Sequence, residues 1–298
     1  MTDNGGMAQP SSASLLIEPR NGNGNGNGNA PKNHVAQVEL RELIQQAAPA
    51  RPRSSPAPKL TLSVVIPTWN EAGNIEHVLR QLDRFDDIVI VDGLSKDDTV
   101  QIARSVRPDL RLIERPPKGK GDALRAGFQA ATGDVIVIMD ADGSMDPLEV
   151  DVFVTMIAVG FDLVKGSRLA CGGGSHDLTF VRWAGNRALC GLANRLFGTA
   201  WTDLCYGYLA FRRDCLPRLA LSADGFEIES QILANAALSG MRVAEVPSME
   251  FPRISGESHL NATRDGVRIL RTMLSARFSP RARRAALALR AAPIIVDL

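Results

Sequence analysis

The chain has 298 residues, of which 45% are hydrophobic, and carries a formal net charge of +1. This length suffices for one large domain or two small ones, and the near-neutral charge argues against a nucleic-acid-binding protein. The four cysteines form no Cys-x-x-Cys pair, so we expect free thiols in a reducing compartment and no zinc site or disulfide framework.

The N-terminal part is unlike the rest of the chain in composition. Residues 21–29 alternate Asn and Gly, and residues 50–58 are rich in Pro and Ser. Such segments bury little apolar surface, so we expect 1–58 to be a disordered, low-complexity tail, with at most a short helix near 35–44. The start of the chain has no basic-then-apolar segment, so no signal peptide is expected. No apolar run approaches the ~18 residues that cross a bilayer.

From residue 60 onwards the apolar pattern alternates between strands and helices. Strands are predicted at 62–66, 88–91, 110–114, 135–139, 162–164, 206–211 and 242–246. Helices are predicted at 75–82, 97–106, 121–131, 147–159, 180–197 and 226–239, and a basic, amphipathic helix or pair of helices is predicted at 262–292. Strands that alternate with helices indicate a parallel sheet with right-handed crossovers. We therefore predict an α/β fold with a mostly parallel central sheet flanked by helices.

Two acids follow the strand predicted at 135–139, which is apolar throughout and typical of the inside of a parallel sheet. Alternation in an extended chain would direct the carboxylates of Asp140 and Asp142 the same way. Ligands bind at the carboxyl ends of strands in open α/β sheets, and paired carboxylates suit a hard divalent cation shared with a phosphate. The alternative is a turn in which the acids cap a helix beginning at Asp146-Pro147.

The loops after the other strands also carry candidate ligand-binding residues. The first strand leads into neither Gly-x-Gly-x-x-Gly nor Gly-x-x-x-x-Gly-Lys-Ser/Thr, which argues against a dinucleotide-binding domain and a P-loop NTPase. Trp69 could instead stack on a base and Glu71 could accept its hydrogen bonds, or both could be structural. Asp92 ends the second strand, where it could hold a base or a ribose hydroxyl. Lys118 and Lys120 precede a helix and suit phosphate, although charged surface loops are common.

Together these pieces describe a site for a nucleoside diphosphate and a metal. The motifs Pro67-Thr-Trp-Asn-Glu71, Val91-Asp-Gly-Leu-Ser-Lys-Asp-Asp-Thr99, Met139-Asp-Ala-Asp142 and Gly166-Ser-Arg168 resemble family 2 glycosyltransferases with the GT-A fold. The resemblance is greatest to the dolichol-phosphate mannose synthase and polyprenyl-phosphate glycosyltransferase branch. It implies a Rossmann-like GT-A domain at 59–260, after the tail at 1–58 and before a C-terminal helical extension at 261–298.

The resemblance also implies roles for individual residues. The nucleotide would be bound by Pro67, Trp69, Glu71, Asp92, Lys120, Asp140, Ala141 and Arg253. The cofactor, Mg²⁺ or Mn²⁺, would be bound by Asp140, Asp142 and Ser144. The acceptor phosphate would be bound by Arg168, Arg182 and Asn186. The catalytic residues would be Asp142, Arg168, Asp203 and Glu229.

The expected activity is metal-dependent, inverting transfer of a sugar from GDP-mannose or a UDP-hexose to a polyprenyl or dolichyl phosphate. A lipid phosphate is already an anion near neutral pH, with a second pKa of roughly 6, so it needs arginines and no general base. Arg168 and Arg182 favour this acceptor. A hydroxyl of a soluble glycan or small molecule would instead need a carboxylate, for which Asp203, Glu227 and Glu229 are candidates.

A third hypothesis is a non-catalytic protein that binds sugar nucleotides. For all three hypotheses we expect a nucleotide-sugar ligand, no nucleic-acid partner and a cytoplasmic location.

The basic residues 277–290 could place the C-terminal helix against the cytoplasmic face of a membrane, although an ordinary solvated helix has the same pattern.

Overall fold

The computed structural model describes residues 60–257 and 260–280. The predicted tail at 1–58, residues 258–259 and the end of the predicted C-terminal helix lie outside this part. The strands are β1 (Leu62–Thr68), β2 (Asp87–Asp92), β3 (Arg111–Glu114), β4 (Val135–Ile138), β5 (Leu163–Ser167), β6 (Gly174–Ser175), β7 (Leu209–Arg212), β8 (Val243–Pro247) and β9 (Met249–Glu250). The α-helices are α1 (Ile75–Arg80), α2 (Thr99–Val106), α3 (Lys120–Ala130), α4 (Val150–Ala158), α5 (Phe180–Phe197), α6 (Leu216–Leu219), α7 (Ile228–Leu238) and α8 (Ala262–Phe278).

Seven strands form the central sheet, in the order β3-β2-β1-β4-β7-β5-β8. All neighbours pair in parallel except β7, which is antiparallel to both β4 and β5. The short strands β6 and β9 form a separate parallel pair. The predicted α/β fold with a mostly parallel sheet is confirmed. The apolar pattern had not indicated that β7 runs against its neighbours.

Helices cover both faces of the sheet, which explains why its inner strands are apolar without interruption. Along β1, Val64 and Ile66 belong to the buried cluster that contains residues of α1, α2 and α4, whereas Val65 belongs to the cluster that contains residues of α3, α5, α7 and α8. All four residues of β4 are fully buried. Polar side chains are consequently concentrated beyond the strand ends, where the chain leaves the sheet.

Two strand boundaries differ from the sequence prediction. β1 continues through Pro67, whereas the sequence predicts that it ends before this residue. Proline has no backbone N–H to donate, but β4 pairs with β1 only as far as Val65, so no hydrogen bond to β4 is lost at Pro67. β7 begins at Leu209 and not at Tyr206, because Tyr206 and Tyr208 pack into the core from an irregular segment.

The C-terminal helix α8 packs against the domain. Ile269 and Met273 are buried in the same cluster as the residues of α5 and α7. The predicted helix ends at Phe278, where Ser279 has an extended backbone, and residues 281–292 lie outside the described part of the chain. The domain limits at 58/59 and 260/261 stay predictions. Within the described part of the chain, no helix is long and apolar enough to cross a bilayer.

Two helical glycines give a matched test of the packing of helices on the sheet. A Cβ at Gly127 in α3 would overlap Cγ1 of Val65 and lie 3.2 Å from Cγ2 of Val91, whereas a Cβ at Gly185 in α5 would meet nothing within 4 Å. Gly127→Ala should lower the free energy of unfolding by about 1–3 kcal/mol through overpacking. Gly185→Ala should raise it by about 0.5–1 kcal/mol, because alanine restricts the unfolded chain. Urea denaturation measures both, and equal effects would contradict this packing.

Candidate active site

A cavity of about 1220 Å³ lies at the carboxyl ends of β1, β2 and β4. This is the edge of an open α/β sheet at which ligands bind. The predicted site residues on its wall are Pro67, Trp69, Glu71, Lys120, Asp140, Ala141, Asp142, Ser144, Arg168, Arg182, Glu229 and Arg253. The structure therefore brings residues from the whole length of the domain to one space.

Asp142 lies in a tight turn that follows β4. Its Oδ1 accepts hydrogen bonds from the backbone N–H of Ser144 at 3.0 Å and from the Ser144 hydroxyl at 2.7 Å. Its Oδ2 lies 3.3 Å from Nη2 of Arg253. The other guanidinium nitrogen, Nη1, donates to both carboxylate oxygens of Glu71 at 3.0 Å. Arg253 thus links the turn after β4 to the loop after β1.

Asp140 has a different cationic partner. Nζ of Lys120 lies 2.6 Å from Oδ1 of Asp140 and 2.7 Å from Oε1 of Glu229. Burial by itself would lower the pKa of Lys120, but attraction to the two carboxylates raises it, so the side chain stays an ammonium ion. The backbone conformation on both sides of Lys120 requires glycine. Gly119 adopts a φ of +135°, and a Cβ at Gly121 would overlap the backbone of Ala223.

The expectation that an extended chain aligns the two acids is wrong. The chain turns at Ala141 and Asp142, and the carboxylates contact different cations. The alternative of helix capping also does not account for them, because the side chain that accepts from the N–H of Leu148 belongs to Asp146, at 2.9 Å. Asp140 and Asp142 therefore do not cap this helix.

The oxygen donors at this turn fit a hard divalent cation in part. In residues 60–257 and 260–280, no cluster of three or more His, Cys, Asp or Glu side chains is arranged to hold a metal. Two carboxylates and the Ser144 hydroxyl nevertheless line one wall of the cavity. Mg²⁺ commonly binds through one or two carboxylates together with phosphate oxygens and water. These oxygen donors would suit a cation that a bound diphosphate helps to coordinate.

Arg168 lines the same cavity but is already neutralised by two acids. Its Nε donates to Oδ2 of Asp203 at 2.8 Å, and its Nη2 donates to Oδ1 at 3.1 Å. Its Nη1 donates to Glu250 at 3.1–3.2 Å, and its Cζ lies 4.8 Å from the ring centre of Tyr206. With this charge balance, Arg168 offers little free positive charge to an acceptor phosphate.

Three predicted residues do not reach the cavity wall. Asp92 is fully buried and accepts hydrogen bonds from Thr68 and Ser95. Asn186 is buried, donates to Asp203 and accepts from two backbone N–H groups. Asp203 is fully buried, and although burial alone would raise its pKa, Lys165 and Arg168 lower it to about 2. The proposed general-base role of Asp203 does not fit this environment.

Arg182 lies at the start of α5, on the rim of the cavity. Its backbone N–H donates to the Thr179 hydroxyl, and its Nη1 lies 3.2 Å from Oδ2 of Asp177. The neighbouring side chains Phe180, Val181 and Trp183 are exposed by 78%, 71% and 40%, and the rings of Phe180 and Trp183 stack with centroids 5.7 Å apart. We call these three side chains the rim patch. The sequence analysis had not identified it.

Other cavity residues were also missed or left open. Glu250 pairs with Arg168, and its position in the two-residue strand β9 gave no sequence signal. Arg264 and Arg268 reach the cavity from α8, and their i, i+4 spacing could have indicated a common helix face. Glu227 also lines the cavity, and its Oε2 is enclosed with no hydrogen-bond partner in the described part of the chain.

Comparison with known proteins identifies the family. The model of the family described as "Glycosyl transferase family 2" matches residues 63–219. The chain belongs to glycosyltransferase family 2. It is therefore a glycosyltransferase, and its mostly parallel central sheet flanked by helices is that of the GT-A fold.

Relatives of this glycosyltransferase are found in archaea and bacteria. It is 32% identical to the dolichyl-phosphate hexose transferase of Haloferax volcanii, over 70% of this chain and 90% of that protein. It is 31% identical to the undecaprenyl-phosphate mannosyltransferase of Micrococcus luteus, over 66% of this chain and 86% of the relative. A solved structure of glucosyl-3-phosphoglycerate synthase from Mycobacterium tuberculosis, in complex with phosphoglyceric acid, is similar with a TM-score of 0.58. It is 26% identical and covers 74% of this chain and 81% of that one.

The contribution of the buried Arg168–Asp203 ion pair to stability can be tested by mutation. Asp203→Asn should lower the free energy of unfolding by about 3–5 kcal/mol near neutral pH, because it removes one partner of a buried ion pair. Asp214→Asn, which affects the exposed pair with Arg212, should cost less than about 1 kcal/mol. Denaturant titration measures both.

The pH dependence follows from the direction of the Asp203 pKa shift. Because the folded-state pKa is below its ordinary value of 3.8, the stabilisation is fully present above that value and is lost as the pH falls through about 2. The difference between the wild-type protein and Asp203→Asn should therefore shrink between about pH 5 and pH 2. A difference that stays constant over this range would contradict the ionised pair.

Proposed function

We propose that this glycosyltransferase moves a sugar from a nucleoside-diphosphate sugar to a polyprenyl phosphate. The observation that carries the proposal is that Arg182 lines the cavity while its neighbours in the chain, the rim patch, are exposed apolar side chains. A cation beside exposed aromatic and aliphatic side chains suits a ligand with a phosphate head and a hydrocarbon chain. The names of the relatives from H. volcanii and M. luteus, which specify dolichyl-phosphate and undecaprenyl-phosphate, support the same acceptor class.

On the donor side, we propose that the loop after β1 binds the nucleoside. Trp69 is 42% exposed on the cavity wall and can stack on the base, while Pro67 and Glu71 border the same region. Donors of the expected class are GDP-mannose and UDP-hexoses. Asp92 would act indirectly by holding Thr68 and Ser95, because its carboxylate is buried behind them.

The diphosphate would lie against Lys120, Ala141 and Arg253. Asp140, Asp142 and Ser144 are the residues that would bind Mg²⁺ or Mn²⁺. When bound, such a cation neutralises charge that develops on the departing nucleoside diphosphate. Lys120 and Arg253 add positive charge near the same oxygens, and fixed charges of this kind stabilise a transition state without reorganising.

On the acceptor side, the phosphate would attack the anomeric carbon from the face opposite the leaving group, which inverts that centre. Arg182 would hold the phosphate and direct one of its oxygens at the sugar. No general base is required, because the phosphate is already ionised. Arg168 is proposed to shape the wall between the two ligands, since Asp203 and Glu250 neutralise its charge.

A second candidate is transfer to a hydroxyl group of a soluble acceptor. Glu227 and Glu229 line the cavity, and their carboxylates are the candidates to accept the hydroxyl proton. The similar synthase from M. tuberculosis binds phosphoglyceric acid, a small phosphorylated molecule. Either acceptor would use the same donor site.

For a polyprenyl phosphate, we propose that the protein contacts a membrane peripherally. The rim patch would reach the lipid, and α8 could add basic residues beside it. The proposed location at the cytoplasmic face of a membrane follows from the acceptor class and stays a prediction.

The donor site can be tested by ligand-induced stabilisation. GDP or UDP in the presence of Mn²⁺ should raise the melting temperature, because a ligand that binds only the folded state stabilises it. Asp142→Asn should abolish the Mn²⁺-dependent part of the shift, whereas Asp151→Asn, on the exposed face of α4, should retain it. If GDP, UDP and dTDP all leave the wild-type melting temperature unchanged, the donor assignment is wrong.

The acceptor site can be tested by separating hydrolysis from transfer. Arg182→Gln should leave the slow hydrolysis of the donor unchanged and lower transfer to a polyprenyl phosphate by about 10- to 100-fold, the effect of losing one charge-assisted hydrogen bond. Arg195→Gln, in the last turn of the same helix, is the matched control and should retain both rates. An equal loss of hydrolysis and transfer in Arg182→Gln would assign the residue to the donor. Transfer to phosphoglyceric acid alone would favour the second candidate.

A further inference from the structure

Each of the two acids proposed to bind the metal is paired with a cation of the chain itself. Lys120 lies 2.6 Å from Asp140, and Arg253 lies 3.3 Å from Asp142. We propose that Lys120 and Arg253 compete with a divalent cation for these carboxylates, and that a nucleotide diphosphate releases them. This inference rests on the proposed function, because it assumes that metal and nucleotide share this site.

Of the two cations, Lys120 competes more strongly with a metal ion for its carboxylate. Its side chain is 10% exposed, and it lies between Asp140 and Glu229, with both nitrogen–oxygen distances below 2.8 Å. A divalent cation that binds Asp140 while the ammonium stays in place would meet a like charge a few ångströms away, at low local dielectric. Without a second anion to receive Lys120, the metal must therefore displace it into a less favourable position.

A diphosphate supplies such an anion. Lys120 and Arg253 both line the cavity, so each can turn from a carboxylate to a phosphate oxygen without leaving it. Lys120 has three N–H donors, so it can keep Glu229 as a partner while it exchanges Asp140 for phosphate. Arg253 can likewise keep Glu71, to which its Nη1 donates, while its Nη2 is redirected.

The chain holds Lys120 in this position by its backbone. The N–H groups of Gly121 and Asp122 donate to the carbonyl of Asp224, at 2.8 and 3.2 Å. Gly119 and Gly121 permit this close approach, since a Cβ at either position would overlap the 223–224 backbone. The start of α3 is thus fixed, and only the side chain of Lys120 is left to move.

The consequence is positive coupling between the two ligands. A nucleotide that removes Lys120 and Arg253 from the acids raises the affinity for the metal, and by linkage the metal raises the affinity for the nucleotide by the same factor. The free carboxylates would then be made available only together with the diphosphate, so the metal would not bind in an unproductive complex without a donor.

The coupling can be measured without an activity assay. The dissociation constant of Mn²⁺ from the full chain is determined by electron paramagnetic resonance of the free ion, with and without saturating GDP or UDP. We expect the nucleotide to tighten Mn²⁺ binding by about 5- to 150-fold, the usual range of such coupling. Lys120→Gln should bind Mn²⁺ alone about tenfold more tightly than the wild type and lose most of the coupling. Arg195→Gln, in the last turn of α5 and not on the cavity wall, makes the same charge change and should behave as the wild type.

A second variant controls for a folding defect in Lys120→Gln. Lys120→Gln leaves the buried Glu229 without its cation, so Lys120→Gln/Glu229→Gln is measured in parallel and should show the same tightening. The competition is overturned if nucleotide and Mn²⁺ bind the wild type independently, or if both variants bind Mn²⁺ alone no more tightly than the wild type. Failure of the wild type to bind any nucleotide would overturn the proposed function together with this inference.

Discussion

The central strands are buried on both faces, and this constraint determines where chemistry can occur. β1, β2 and β4 carry apolar side chains on either side of the sheet, so a charged group within them would be desolvated without a partner. In these three strands, polar residues occur only in the first or last two positions. Because these three strands are parallel, their carboxyl ends meet at one edge. The loops after β1 and β4 and the start of α3 therefore deliver Glu71, Asp142 and Lys120 to a single cavity.

Crowding charges at one edge creates a second requirement, which is that each charged side chain has a partner of opposite sign. The structure meets it with two clusters. On the proposed donor side, Lys120 and Arg253 each pair with two acids, and in the second cluster Arg168 pairs with Asp203 and Glu250. The first cluster is partly exposed to the cavity and can exchange partners with a ligand. The second is almost fully buried, and exchange there would leave an unpaired charge in the core.

The sequence was a good guide to the sheet and to most of the cavity wall, because both follow from local patterns. The apolar run at β4 identified a strand with buried faces, and the acids after it could be placed at the carboxyl edge by topology alone. Antiparallel β7 could not be predicted, since a buried strand has the same apolar pattern in either direction. The roles of Asp92, Asn186 and Asp203 also depended on tertiary contacts. A motif fixes which residue is present, but the hydrogen-bond partners decide whether its side chain faces the cavity or supports a neighbour.

The contrast between Arg168 and Arg182 shows how the acceptor side depends on these contacts. Both arginines were expected to bind the acceptor phosphate, and both lie on the cavity wall. Arg168 is 6% exposed and has two carboxylate partners, whereas the side chains of Arg182 and its partner Asp177 are 27% and 57% exposed. A surface ion pair contributes little free energy, so an incoming phosphate can replace Asp177 at small cost. Under the proposed function, Arg182 rather than Arg168 would exchange its partner for the acceptor, and the rim patch next to it in the chain would favour a phosphate attached to a hydrocarbon chain.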